Sequence, residues 1–174
     1  MKPNITPEQI KKHYNMVPLQ DEGGVFHQSY ISDEILPASV IPGREGDHTV
    51  GSAIIYLLSG ETYSRMHRLP TDEIFHFYMG EPVEMLQLYP DGTGEIIRMG
   101  HNILEGEKVQ VTVRRGVWQG TRLAPGSKWA LLGTVMAPGF KEVDYEDGIL
   151  EELIAQYPQF SEELKLYAGA PVYE

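Results

Sequence analysis

The residues best suited to chemistry lie within positions 65–80, RMHRLPTDEIFHFYMG. His67 stands six residues before Glu73, with Pro70 between them, and His76 follows three residues later. An imidazole is the side chain whose ordinary pKa lies closest to neutrality, so His67 suits proton transfer or ligation. A carboxyl at the start of an apolar strand is desolvated, which raises its pKa and suits it to the partner role. His67 and Glu73 are therefore the candidate catalytic pair. Farther along, Gln119 in RRGVWQG carries an amide able to orient a polar ligand, and Trp118 and Trp129 are candidate ring-binding platforms.

A hairpin must position the pair. Residues 63–68 and 73–79 read as two strands around a Pro70 turn. Alternation puts Glu73, Phe75 and Phe77 on one face, the phenylalanines forming an apolar floor beside the carboxyl. The same alternation turns His76 and Tyr78 the other way unless a bulge reverses the phase. His76 is kept as a ligand-binding candidate on that condition.

Strand signals recur about every ten residues from 25 to 136: residues 25–31, 50–59, 63–68, 73–79, 82–89, 94–99, 109–113, 117–123 and 128–136. Turn signals separate them, among them Glu22-Gly23-Gly24, Gly60-Glu61, Asp91-Gly92 and Pro125-Gly126. This regular spacing predicts an all-β sandwich or barrel. Helix is expected only at the ends. Thr6, Pro7 and Gln9 form a capping-box start for a helix over about 6–17. Leu150, Leu153, Ile154 and Tyr157 share one face of a tail over about 147–167, with Asp147 as the expected cap. Residues 137–140, Ala-Pro-Gly-Phe, are expected to turn the chain off the barrel and plug one end. Residues 39–47 are expected to be a mobile loop of the kind that edges binding sites. His13, His27, His48 and His101 stand alone in polar or loop contexts and receive no role.

Composition bounds the function. The chain has 174 residues, 41% hydrophobic, enough for one domain with a sizeable core. No apolar run approaches ~20 residues, so no membrane span is expected, and the N-terminus lacks the apolar core of a signal peptide. The absence of cysteine excludes disulfides and thiolate metal sites and fits a cytoplasmic location. A net charge of −11 repels a phosphate backbone, which makes nucleic acid an unsuitable partner. No phosphate-binding glycine loop and no GxSxG elbow is present.

Five blocks in order carry a family resemblance: EGGVFHQSY (22–30), SAIIYLL (52–58), HRLPTDEIFHFYMGEPVE (67–84), RRGVWQG (114–120) and WALLGTVMAPGF (129–140). The chain resembles the cupin superfamily, in particular the small cupins grouped as the cupin-5 group, a domain of unknown function (985). The resemblance implies an all-β double-stranded β-helix, or jelly roll, spanning about 22–140 of a single domain (1–174), and frequently a homodimer. In the first family motif His67, Glu73 and Gly80 match while Leu69 replaces a histidine. In the second, Gly116 matches, Arg114 replaces a proline, and Gln119 replaces a histidine. These replacements favour a barrel without a cofactor. A divalent metal, if bound, would have only His67, Glu73, His76 and Gln119, and an amide is a weak ligand.

Three functions follow as expectations. The first is an epimerase or isomerase acting on a sugar or sugar nucleotide, with His67 as base, Glu73 as relay, and Gln119 with a tryptophan holding the ring. The second is a non-catalytic module binding a small polar or sugar-like molecule in the same pocket. The third is a metal-dependent isomerase or oxygenase.

Overall fold

The computed structural model describes residues 5–168. The long strands fall where hydrophobic alternation places them, and they stack into two facing antiparallel sheets. The first sheet uses β1 (Val17–Pro18), β2 (Val25–Ile31), β5 (Ser52–Ser59), β7 (Glu73–Gly80), β10 (Gln110–Val113) and β12 (Trp129–Met136). Their spatial order is β1-β2-β5-β12-β7-β10. The second uses β6 (Tyr63–Arg68), β8 (Val83–Leu88), β9 (Gly94–Met99), β11 (Trp118–Leu123) and β13 (Glu146–Asp147), in the order β13-β6-β11-β8-β9. A small ribbon pairs β3 (Ile35–Leu36) with β4 (His48–Thr49). From β5 to β12 the chain crosses from one sheet to the other at every step except the β8–β9 hairpin, so it wraps as a jelly roll.

Period-two alternation sorts each strand into a barrel face and an outer face. Tyr56, Leu58, Phe75, Phe77, Met85 and Leu132 fill the interior between the sheets. Outside the second sheet, Met66, Leu86, Leu88 and Trp118 are covered by α2 (Leu150–Gln156) and α3 (Ser161–Leu164), through Leu153, Tyr157 and Leu164. Outside the first, α1 (Pro7–Tyr14) lays Ile10 on Val25, Leu57 and Leu131, with Trp129 packed against the same group. Thr6 and Gln9 close the expected capping box, which satisfies two otherwise orphaned amides.

Gly80 shows why one turn position tolerates no side chain. Its φ is +102°, and a Cβ would lie 2.6 Å from the Trp129 carbonyl oxygen.

Two local expectations need correction. Asp147 does not cap α2; Ile149 occupies that position with no side-chain cap bond. Asp147 instead pairs with His67 in the β6–β13 ladder and its carboxylate meets Arg65 at 2.8 Å. The loop before β4 is tied down: the Arg44 guanidinium donates to the Pro70 carbonyl and to Thr71 Oγ1, and Asp47 accepts from the Ala38 amide.

Candidate functional site

The site lies at the end of the barrel where β5 and β7 begin and β6 and β12 end. His67 is the penultimate residue of β6, paired with Gln119 of β11 and facing inward. Its Nδ1 is 2.8 Å from the Arg65 carbonyl, which can only accept, so Nδ1 carries the proton. Nε2 then accepts from the Gln119 amide at 2.8 Å. Gln119 donates its second N–H to Glu73 Oε2 at 3.2 Å, linking the imidazole to the carboxyl. Tyr145 stacks on the His67 ring, 5.0 Å between centroids and tilted by 26°. His67 and Gln119 are each only 1% exposed.

Glu73 opens β7 with its carboxyl in the barrel. Burial pushes its pKa up to about 8, the charge of Glu22 adds to the rise, and a Thr134 hydroxyl partly offsets it. Glu22 reaches the site through the Glu22-Gly23-Gly24 turn. Both glycines have positive φ, the Tyr56 hydroxyl donates to the Gly23 carbonyl at 2.7 Å, and the Arg65 amide donates to the Glu22 carbonyl at 2.9 Å. The turn so fixed lets Ser64 Oγ donate to Glu22 Oε1 at 2.5 Å. Burial and the Glu22 charge also hold the Tyr56 and Tyr145 phenols protonated, well above the ordinary tyrosine range.

Beside these groups is a cavity of about 200 Å³. Its polar wall is Glu22, Gln28, Ser52, Glu73 and Thr134, and its apolar wall includes Phe26, Ile54, Leu69, Met136 and Phe140. Gln119 Oε1 and Thr121 Oγ1 are buried without a hydrogen-bond partner.

The hairpin reading thus brings His67, Glu73 and Gln119 together. His76 is not with them: it lies on the outer face of β7, where Gln110 Nε2 approaches its Nδ1 at 3.3 Å and Tyr78 stacks at 6.2 Å. The bulge between β7 and β12 falls after His76, too late to reverse its phase. Trp118 also faces outward, because Gln119 next to it faces in; it is buried in the cluster beneath the C-terminal helices with the Arg68 guanidinium 4.4 Å from its ring. Trp129 belongs to the α1 side of the first sheet. Phe75 and Phe77 point inward but form the packed core rather than the cavity wall.

Sequence reading missed Glu22, Ser64, Tyr56 and Tyr145. Only Glu22 gave a signal, within the quoted EGG turn. His48 was passed over as a loop residue. It is 1% exposed, with Nε2 2.7 Å from Asp144 and Nδ1 3.0 Å from the Gly46 carbonyl. Both ring nitrogens thus face oxygen partners, which fixes the orientation of the ring. This pair ties the start of β4 to the segment that carries Tyr145.

The donor set does not fit a resident divalent metal. His76 faces outward, both His67 nitrogens are engaged, and Leu69 lines the cavity where a second imidazole would stand. Among the described residues no three His, Asp or Glu side chains converge as metal ligands.

Two facing antiparallel sheets enclosing an end cavity define a jelly-roll barrel of cupin type. The chain belongs to the Cupin superfamily (DUF985), whose profile matches residues 8–147. No curated protein matches. A crystal structure of a protein from Shewanella oneidensis is 25% identical, covering 95% of this chain and 99% of that one, with a TM-score of 0.82. A hypothetical protein from Leishmania major is 24% identical over 98% of this chain and 100% of its own, with a TM-score of 0.84. Oxalate decarboxylase from Bacillus subtilis is similar in fold alone, at 13% identity over 90% of this chain and 38% of its own, with a TM-score of 0.53. No helix among the described residues is long and apolar enough to cross a membrane.

Proposed function

We propose that the barrel-end cavity binds a small molecule and that Glu73 exchanges a proton with it, in a reaction of the isomerase or epimerase type. The observation that carries this reading is a cavity-lining carboxyl whose pKa is pushed up to about 8. A group titrating near working pH is the one best matched to general acid–base work. The proposal shifts the base from His67 to Glu73. His67 Nε2 is committed to the Gln119 amide, and neither residue lines the cavity. Their work is to position the carboxyl through the Gln119 bridge. In its ionised form Glu73 would take a proton from a carbon next to a carbonyl, leaving the electron pair as an enolate, and return it to that carbon or its neighbour.

A non-catalytic binding module is the second reading, favoured by the fully engaged His67. Proton NMR in D2O with small hydroxy-carbonyl compounds separates the two. Exchange of the C–H proton in the wild type, lost in Glu73→Gln and only slowed in His67→Ala, supports the first. Exchange that Glu73→Gln leaves unchanged refutes Glu73 as the acid–base group, and stabilisation by a compound without exchange leaves the binding module. We also propose a homodimer formed through the outer face of the first sheet, where Tyr30, Tyr78 and Val135 are exposed beyond the cover of α1.

A further inference from the structure

We propose that the ligand class of this cavity is a small organic ammonium ion with an apolar body, its charged end set between Glu22 and Glu73. The inference rests on reading the cavity as a ligand site, not on proton transfer taking place there.

The charge balance of the cavity is the first argument. Two carboxyls from distant parts of the chain meet on one wall, and neither has a cationic partner there. Glu22 is held by the Ser64 hydroxyl and Glu73 by the Gln119 amide, both uncharged. The imidazole nearest Glu22 is His67, with Nε2 4.0 Å from Oε2. Its Nδ1 is turned to the Arg65 carbonyl and its Nε2 to the Gln119 amide, so neither ring nitrogen points into the cavity. Arg65 is turned away, onto the Asp21 carbonyl and the Asp147 carboxylate. Among the described residues no Lys, Arg or His lines the cavity. A carboxylate or phosphate ligand would enter against two acids with nothing to meet it. An ammonium would meet both, and it brings three N–H donors to a wall otherwise rich in acceptors.

The rest of the wall says what the cation carries. Phe26, Ile54, Leu69, Met136 and Phe140 form an apolar lining opposite the acids. An inorganic cation would leave that lining bare, and no third carboxylate or imidazole joins to complete a coordination shell. An organic body uses the lining. Benzene fits a cavity of roughly 150 Å³, so about 200 Å³ has room for one ring and a short arm.

Binding of this kind carries a proton signature. The groups around Glu73 are Glu22 from the turn before β2, Gln119 from β11, Thr134 from β12 and, beyond Glu22, His67, Tyr56 and Tyr145. Burial, with the Glu22 charge added to it, keeps the proton on the Glu73 carboxyl near neutral pH. An ammonium beside it favours the carboxylate, and the proton leaves as the ligand enters. Affinity therefore rises as pH climbs from 6 toward 8.

The test compares benzylammonium, benzyl alcohol and benzoate with the whole protein by calorimetry at pH 6, 7 and 8, in two buffers of different ionisation enthalpy. Benzylammonium should bind at least tenfold more tightly than the alcohol and benzoate should not bind. Proton release should accompany benzylammonium binding at pH 7 and vanish in Glu73→Gln. The folded Glu22→Gln/Glu73→Gln double variant should lose the preference for the cation. Equal binding of alcohol and amine, binding of benzoate, a preference that survives in the double variant, or no binding of any of the three overturns the proposal. Failure of the proton-exchange assay above, with cation selectivity intact, overturns only the isomerase reading. Proton exchange on neutral carbonyl compounds without cation selectivity overturns only this one.

Discussion

Replacing Glu73 by glutamine should flatten the pH dependence of stability. In the folded protein this carboxyl holds its proton to about pH 8, whereas an unhindered glutamate loses it near 4.5. Between those values the unfolded chain binds fewer protons than the native one, so stability falls as pH rises. The slope from this group alone is about 1.4 kcal/mol per pH unit. Over the whole interval the loss approaches about 5 kcal/mol, complete above pH 8, with nothing lost below pH 4.5. Glutamine keeps an oxygen to accept from Gln119 and has no charge to desolvate. At pH 5 the two proteins should differ by about 1 kcal/mol, the scale of one altered hydrogen bond. At pH 8 the variant should be the more stable by several kcal/mol. Urea denaturation of both proteins at pH 5, 6, 7 and 8 reads the difference directly. Glu22→Gln removes the second cause of the shift and should give an intermediate slope. Parallel stability curves for wild type and Glu73→Gln would refute the claim that this carboxyl is buried as a neutral acid.

Gly80→Ala forces a side chain into positive φ and against the Trp129 carbonyl, and should cost about 2–4 kcal/mol in chemical denaturation; a variant of wild-type stability would show that the β7 turn relaxes freely. Asp144→Ala leaves the buried His48 Nε2 without its oxygen partner and should cost about 1–3 kcal/mol. The same variant should speed amide exchange over residues 141–147, and unchanged exchange there would show that the pair does not hold Tyr145 on His67. Val135→Glu places a charge on the exposed outer face of the first sheet and should convert a dimer to a folded monomer in sedimentation; a monomeric wild type at micromolar concentration would dismiss that interface.

The barrel was legible because its strands are long enough for alternation to repeat and each is bounded by a turn with its own chemistry. The same alternation, applied one residue further, decides the misplaced candidates. Gln119 and Trp118 are neighbours in β11, so they cannot share a face, and His76 stands between Phe75 and Phe77. The period separates Trp118 from Gln119 outright, and His76 could have joined the pocket only through a bulge before it, whereas the bulge of β7 comes after it. What sequence could not show is of another kind. Glu22 enters the site only because Tyr56 and Arg65 clip its turn from distant strands. Tyr145 reaches His67 only through the two-residue β13, too short to leave a pattern. His48 looked solitary because its partner Asp144 is ninety-six residues away. Each depends on long-range closure of the jelly roll, which local periodicity does not record.

The departures from the family motif and the behaviour of Glu73 have one physical origin. Where the motif would set a second imidazole, Leu69 presents hydrocarbon to the cavity. At the other altered position Gln119 presents an amide, whose two N–H groups go to His67 and Glu73. An imidazole at either place could have been protonated or ligated a cation, and either would have stabilised a carboxylate. Leucine and glutamine do neither. Glu73 is left with an apolar neighbour, a neutral donor and the repulsive charge of Glu22, and it answers by keeping its proton. The leucine and the glutamine that stand at the two altered motif positions are therefore the same residues that leave Glu73 a neutral acid facing an open cavity.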